Sequence, residues 1–327
     1  MNIAINGFGR IGRTAARILT EKSPQSLVAI NDLTDNKTLA HLLAHDSNYG
    51  RFKYKVGFDS DHIIINDRKI PAFAEKDPLK LPWHDLEIDV VLECTGHFTN
   101  PDDAKLHIKA GAKQVIISAP PKGPAQTVVL GVNPEQANGK EIISNASCTT
   151  NCVTPIAAVI QYYFGIEKAM MTTIHSYTAD QNLQDGPHKD LRRARSAGIN
   201  IVPTTTGAAV SATEVIPELK GLFDGLAIRV PTSVVSLSDF TFLVKKQTTV
   251  EEVNEVLKEA STQPHYKGIL DFTEEELVST DFIGNSASAI VDLKLTQVVG
   301  GNMVKVVAWY DNEFGYSSRL VELALRK

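Results

Sequence analysis

Ile3-Ala4-Ile5-Asn6-Gly7-Phe8-Gly9-Arg10-Ile11-Gly12 stands at the head of the chain and decides its architecture. A short apolar run stops at Gly7, and a helical pattern starts near Arg10. GxGxxG between a strand and a helix is the context of a dinucleotide-binding turn. Gly7 permits the tight turn, Gly9 lets a pyrophosphate approach the backbone, and Gly12 lets helix and strand pack closely. The helix start then presents N–H groups to the anion. Asp32 ends the next apolar run, 20 residues after Gly12. A carboxylate there accepts ribose hydroxyls and repels a 2′-phosphate, so the expected cofactor is NAD rather than NADP.

Working outward, apolar runs recur near 2–6, 27–31, 88–93, 114–118 and 127–130, with helical patterns at about 10–20, 37–45 and 101–111. A polar hairpin region lies at about 50–73. Strands alternating with helices read as a doubly wound (Rossmann) parallel sheet. The pairs Thr95-Gly96 and Ser118-Ala119 follow buried runs, at the carboxyl edge where such sheets bind ligands. After residue 147 the texture changes. Longer strands alternate in period two, near 169–176, 236–242, 287–297 and 302–311, with helices near 148–164, 208–216 and 250–260. That pattern predicts an α+β domain with a mixed, largely antiparallel sheet. The expected division is a cofactor domain over 1–147, joined by a C-terminal helix at 312–327, and a catalytic domain over 148–311.

The chain has 327 residues, more than one core usually serves. Its net charge of -5 favours neither nucleic acid nor an anionic membrane. Three cysteines give no disulfide framework and fit a reducing compartment. No apolar run is long enough for a membrane helix, and the N-terminus has no signal-peptide pattern. These features predict a cytoplasmic protein. No set of cysteines and histidines has metal-ligand spacing, so no metal is expected.

Ser144-Asn145-Ala146-Ser147-Cys148-Thr149-Thr150-Asn151-Cys152 carries the chemistry. Ser147 is a good N-cap, and Val153, Ile156, Ala157 and Ile160 continue a helical pattern, with Pro155 expected to disturb its first turns. Cys148 therefore begins a helix, where the dipole favours a thiolate. His175 ends a strand 27 residues later. A neutral imidazole near a thiol is an activated-nucleophile pair. Cys94 and Cys152 read as small buried hydrophobes. The remaining histidines, His107 among them, have weaker contexts.

The blocks AINGFGRIGR (4–13), AINDLTD (29–35), SNASCTTNC (144–152), TTIHSYT (172–178), PHKDLRRAR (187–195), PTTTGAA (203–209), RVPT (229–232) and WYDNEFGYS (309–317) span nearly the whole chain. In content and order they resemble the phosphorylating glyceraldehyde-3-phosphate dehydrogenases of bacterial type. The resemblance implies oxidation of glyceraldehyde 3-phosphate, with inorganic phosphate and NAD, through a cysteine thioester. Cys148 is then the nucleophile and His175 the base. Ser147, Thr149, Thr206 and Gly207 form one phosphate site. Thr178 and Arg229 form the other, with Arg193 between them. Arg10 and Ile11 contact the pyrophosphate through the backbone, and Asn312 fixes the nicotinamide carboxamide. The segment from 177 to 201 is the family's S-shaped loop, which implies a homotetramer. Gly186 replaces a leucine common in bacterial members, and Lys76 an arginine found in some. Erythrose-4-phosphate dehydrogenase is the nearest alternative. It differs in the blocks matching Tyr177-Thr178 and Thr205-Thr206-Gly207, where this chain keeps the phosphorylating pattern.

Overall fold

A computed structural model describes residues 1–326. The chain divides into two compact units. The first holds residues 1–128, 135–146 and the described residues from Ser317 onward; the second holds 129–134 and 147–316.

The first unit contains β1 (Ile3–Asn6), α1 (Arg10–Lys22), β2 (Leu27–Asn31), α2 (Asn36–Ala44), β3 (His45–Asp46), β4 (Gly50–Arg51), β5 (Val56–Phe58), β6 (His62–Ile65), β7 (Arg68–Phe73), β8 (Val90–Glu93), α3 (Pro101–Lys109), β9 (Gln114–Ile117), β10 (Gln126–Thr127) and β11 (Ile142–Ser144). Its main sheet runs β10-β11-β9-β8-β1-β2-β7-β6-β5. The strands from β10 to β7 are parallel, and β7, β6 and β5 form an antiparallel meander at one edge. That meander is the polar hairpin region of the sequence. β1 and β8 are buried along their whole length, as strands covered on both faces must be. α1 buries Ala15, Ala16, Ile18 and Leu19, and sets Lys22 in its last turn, where the dipole favours a cation. α3 starts with Asn100 accepting from the Asp102 N–H and with Pro101 in the first turn. These are the elements of the expected doubly wound sheet.

The second unit contains α4 (Cys148–Phe164), β12 (Ile166–Ser176), β13 (Val202–Thr205), α5 (Ala208–Val215), β14 (Phe223–Val230), β15 (Ser236–Val244), α6 (Val250–Thr262), β16 (Leu270–Thr273), β17 (Ala289–Asp292), β18 (Gln297–Val299) and β19 (Met303–Tyr310). α7 (Phe314–Leu325) passes from this unit into the first. The sheet order is β13-β14-β12-β15-β19-β17-β16, with β18 on β19. Pairing is mostly antiparallel, but β12 with β14 and β16 with β17 are parallel. The mixed sheet expected from the sequence is therefore present.

Three local readings change. The strand expected over 287–297 breaks at a 3₁₀ turn, Leu293–Leu295, into β17 and β18. The run at 127–130 contributes little to the sheet, because the Val129 N–H turns to Asn133 Oδ1 at 2.8 Å. Pro155 does not disturb the start of α4, which runs unbroken from Cys148. A proline removes one interior hydrogen bond, and here the buried apolar flank of Val153, Ile156, Ala157 and Ile160 outweighs that loss.

Candidate active site

The first unit builds a nucleotide cleft at the carboxyl edge of its parallel sheet. β1 is followed by Gly7, whose φ is +92°; a Cβ there would lie 2.5 Å from the Thr95 nitrogen. At Gly12 a Cβ would lie 2.1 Å from the Gly7 oxygen, so only glycine allows α1 to sit so close. Gly9 is different: open space surrounds its missing side chain. It is also the N-cap of α1 and makes no side-chain cap. With no capping side chain at Gly9, the helix start at Ile11 is open to an anion. The Arg10 side chain turns to Asp46, at 2.5 Å and 3.3 Å.

Asp32 receives the Phe8 N–H at 2.7 Å and the Thr34 N–H at 2.9 Å. Its carboxylate lines a cleft of about 890 Å³, with Gly7, Gly9, Thr95, Lys76 and Phe98 on the same walls. The N–H of Ser118 donates to the Glu93 carbonyl at 3.0 Å, and Ser118 is not among the lining residues of that cleft. A glycine cradle open at Gly9, an uncapped helix start and an acidic group at the end of β2 fit a dinucleotide with a free ribose. Cys94 is half-buried on the cleft wall, and burial pushes its thiol up to about 12.

The second unit holds the thiol. Ser147 caps α4 by accepting the Thr150 N–H at 3.0 Å, which fixes Cys148 as the first helical residue. Cys148 Sγ lies 3.4 Å from His175 Nε2. The imidazole is oriented from behind, because Nδ1 lies 2.7 Å from the Ser176 carbonyl. Nδ1 thus stands between an acceptor, this carbonyl, and a donor, Arg229 Nη1; in the tautomer that donates to the carbonyl, Nε2 faces the sulfur as a base. The parallel register of β12 and β14 sets His175 directly beside Arg229. Arg229 Nη1 approaches Nδ1 to 2.5 Å and donates to the same carbonyl at 3.1 Å.

Burial comes first in setting both protonation equilibria. It pushes the Cys148 thiol up, against Arg229 and the helix-start N–H groups, which pull it down. Burial, then the Arg229 charge, pushes His175 down to about 3. The sequence puts the helix dipole first for the thiol; here desolvation outweighs it. The thiol thus needs an adjacent proton acceptor, and a neutral imidazole is in place.

Thr149 and Arg229 contact this pair, and the Arg193 charge acts on His175. Thr149 follows Cys148, and its Oγ1 meets the Tyr310 hydroxyl at 3.0 Å; that hydroxyl also meets Thr173 Oγ1 at 2.8 Å. Tyr310 is buried; it lies in the block WYDNEFGYS (309–317), where the resemblance implies a role only for Asn312. Thr178 is half-buried just beyond β12. Thr206 accepts the Ala208 N–H at 3.2 Å, and Gly207 opens α5 with no side-chain cap. Arg193 is held by Asp180, donates to Thr204 Oγ1 at 2.9 Å and reaches the Thr205 carbonyl at 3.2 Å. The buried Arg229 Nε has no hydrogen-bond partner, a feature that fits an anion-binding guanidinium. Asn312 Oδ1 accepts from Ser236 Oγ at 2.9 Å, and Ser236 Oγ accepts the Ser176 N–H at 3.1 Å. One chain of bonds thus ties Asn312 to the strand end that carries His175. Cys152 lies buried one turn beyond Cys148, with its thiol pushed up by burial. Among the described residues no cluster of ligands could hold a metal ion.

A dinucleotide cradle and a base-activated cysteine in one chain define an NAD-dependent aldehyde dehydrogenase that works through a thiol. Comparison with known proteins makes this specific. Residues 1–101 match the family profile "Glyceraldehyde 3-phosphate dehydrogenase, NAD binding domain", and residues 147–312 match its "C-terminal domain". Glyceraldehyde-3-phosphate dehydrogenase of Geobacillus stearothermophilus is 51% identical over 99% of this chain and 97% of its own length. A Bacillus cereus form is 52% identical over 98% and 97%, and a Trichormus variabilis form 53% identical over 99% and 97%. The chain belongs to the glyceraldehyde-3-phosphate dehydrogenase family.

Proposed function

We propose that this enzyme oxidises glyceraldehyde 3-phosphate to an acyl phosphate, 1,3-bisphosphoglycerate, reducing NAD and consuming inorganic phosphate. The observation that carries the chemistry is the 3.4 Å approach of His175 Nε2 to Cys148 Sγ at a helix start. His175 takes the thiol proton, and the sulfur attacks the aldehyde carbon. The resulting oxyanion is met by the Cys148 backbone N–H and by the imidazolium, which returns its proton to give a hemithioacetal. His175 then withdraws the hydroxyl proton as the carbon loses hydride, leaving a thioester on Cys148. Bound NAD supplies the hydride acceptor. A phosphate oxygen attacks the thioester carbon, the acyl–sulfur bond breaks, and the Cys148 thiolate leaves.

Ser147, Thr149, Thr206 and Gly207 bind one phosphate, and Thr178 and Arg229 the other, with Arg193 between; guanidinium and hydroxyl donors suit that ligand. Gly7, Gly9, Arg10, Ile11 and Gly12 cradle the pyrophosphate, Asp32 binds the adenosine ribose, Thr95 and Ser118 border the cofactor, and Asn312 holds the carboxamide. The first compact unit is the NAD-binding domain and the second the catalytic domain; the units depart from the expected division at 147/148 and 312 in placing 129–134, Ser147 and 312–316 with the second. The enzyme acts in the cytoplasm as a homotetramer. The exposed apolar residues Leu183, Leu191, Ile199 and Ile201, within the segment 177–201, support an interface with further copies. No helix among the described residues is long and apolar enough to cross a membrane. The test is NADH formation with and without phosphate, with NAD and NADP in parallel. Rapid, phosphate-dependent turnover with NAD is expected. Slow, phosphate-independent turnover, or preference for erythrose 4-phosphate, contradicts the assignment.

A further inference from the structure

Beneath the nucleotide cleft lies a buried polar chain that the chemistry above does not use. Trp83, Glu93 and His107 are 0–1% exposed. Trp83 Nε1 donates to His107 Nδ1 at 2.9 Å. An indole only donates, so Nδ1 is bare and the proton of a neutral ring sits on Nε2. That N–H faces Glu93 Oε2 at 3.3 Å. The same oxygen accepts from Asn6 Nδ2 at 2.6 Å, and Oε1 accepts the Thr95 N–H at 2.8 Å and the Thr95 hydroxyl. Asn6 Oδ1 accepts from Asn31 Nδ2 at 2.7 Å. Asn31 clamps residue 75 by both main-chain groups, each at 2.9 Å. The indole sets the direction of these bonds at one end; Asn6 Nδ2 also lies 3.3 Å from His107 Nε2, a contact between two donors in this tautomer.

The far members are cleft walls: Asn6, Asn31, Glu75 and Thr95 all line the cavity that also holds Gly7, Gly9 and Asp32. Gly7 packs on Thr95 too closely for any side chain, so a shift of Thr95 moves the glycine turn. We infer that Glu93, His107 and Trp83 are positioning residues for NAD: they touch no cofactor atom, but fix the side chains and backbone that do. The inference rests on the cofactor reading above.

The arrangement makes an unusual demand. A glutamine at 93 keeps the shape but puts an NH₂ where two donors already point. His107 could relieve this by moving its proton to Nδ1, but the Trp83 N–H forbids it. Removing that N–H should therefore release the conflict. The experiment measures NAD affinity by calorimetry for the whole enzyme, for Glu93→Gln and for Trp83→Phe/Glu93→Gln. The expected result is about tenfold weaker NAD binding for Glu93→Gln. KM for NAD should rise far more than kcat falls, and the double variant should bind more tightly than Glu93→Gln alone. Two independent structural lesions would add instead, leaving the double variant the weaker. That result, or unchanged affinity in Glu93→Gln, overturns the inference. If the single variant does not fold, ¹⁵N NMR of the unmodified enzyme decides. A proton on His107 Nε2 supports the chain, and a proton on Nδ1 overturns it. Unmodified enzyme that fails to bind NAD refutes the cofactor reading itself, a separate outcome.

Discussion

Replacing His175 with asparagine separates the two tasks given to it. Asparagine is polar and of similar reach, but it cannot take a proton. In the native site Cys148 is half-buried, and desolvation raises its thiol pKa; Arg229 and the start of α4 act against this. His175 adds a neutral proton acceptor 3.4 Å away, held neutral by its own burial and by Arg229. Without it the thiol proton has no adjacent acceptor, so thiolate forms less readily at neutral pH. Alkylation of Cys148 by iodoacetamide should slow at neutral pH and catch up only in strong alkali. For the second task, removal of the hemithioacetal proton, His175 is the base placed against Cys148 Sγ. Loss of a positioned general base costs about 10²–10⁴-fold, and single-turnover NADH formation should fall by that amount. Alkylation with an unmoved pH profile, together with less than a tenfold loss of oxidation, would refute the reasoning.

Other perturbations test separate parts. Arg229→Ala should raise KM for glyceraldehyde 3-phosphate and for phosphate by about tenfold or more, as expected for a lost charge-assisted contact. It also removes a charge that lowers the His175 pKa, so the acid limb of the pH–rate profile should move to higher pH; a limb that stays or moves lower contradicts that role. Gly12→Ala places a methyl 2.1 Å from the Gly7 oxygen. Overpacking of this kind costs about 1–3 kcal/mol, so thermal melting should drop and NAD binding weaken; an unchanged Tm opposes the packing argument. Tyr310→Phe leaves the Thr149 and Thr173 hydroxyls without their shared partner. Urea unfolding should report a loss of about 1–2 kcal/mol, with a higher KM for phosphate; equal stability and KM would show that the hydroxyl positions nothing.

The parts of this enzyme that were legible in its sequence are those whose meaning is local. The glycine spacing of 7–12 needs only a strand before it and a helix after it. Ser147-Cys148 needs only the apolar periodicity that follows. The mixed sheet was readable from period-two alternation in Ser236 to Phe242. What the sequence hides depends on pairing across long separations. Arg229 reaches His175 because β14 runs parallel to β12 in one register, and no short motif encodes that. Tyr310 comes to Thr149 across 161 residues. Glu93 and His107 read as an ordinary strand end and a helix face until Trp83 closes the chain above them. The balance on the Cys148 thiol was also hidden, because a dipole can be read from a helix start but burial cannot.

The central claim is a covalent acyl group on Cys148, and mass spectrometry of the intact and digested enzyme tests it most directly. Enzyme mixed with NAD and glyceraldehyde 3-phosphate in the absence of phosphate should carry a phosphoglyceryl thioester on the peptide containing Cys148. Added phosphate should remove that group as an acyl phosphate. NADH formation with no adduct, or with an adduct confined to Cys94 or Cys152, would contradict the account.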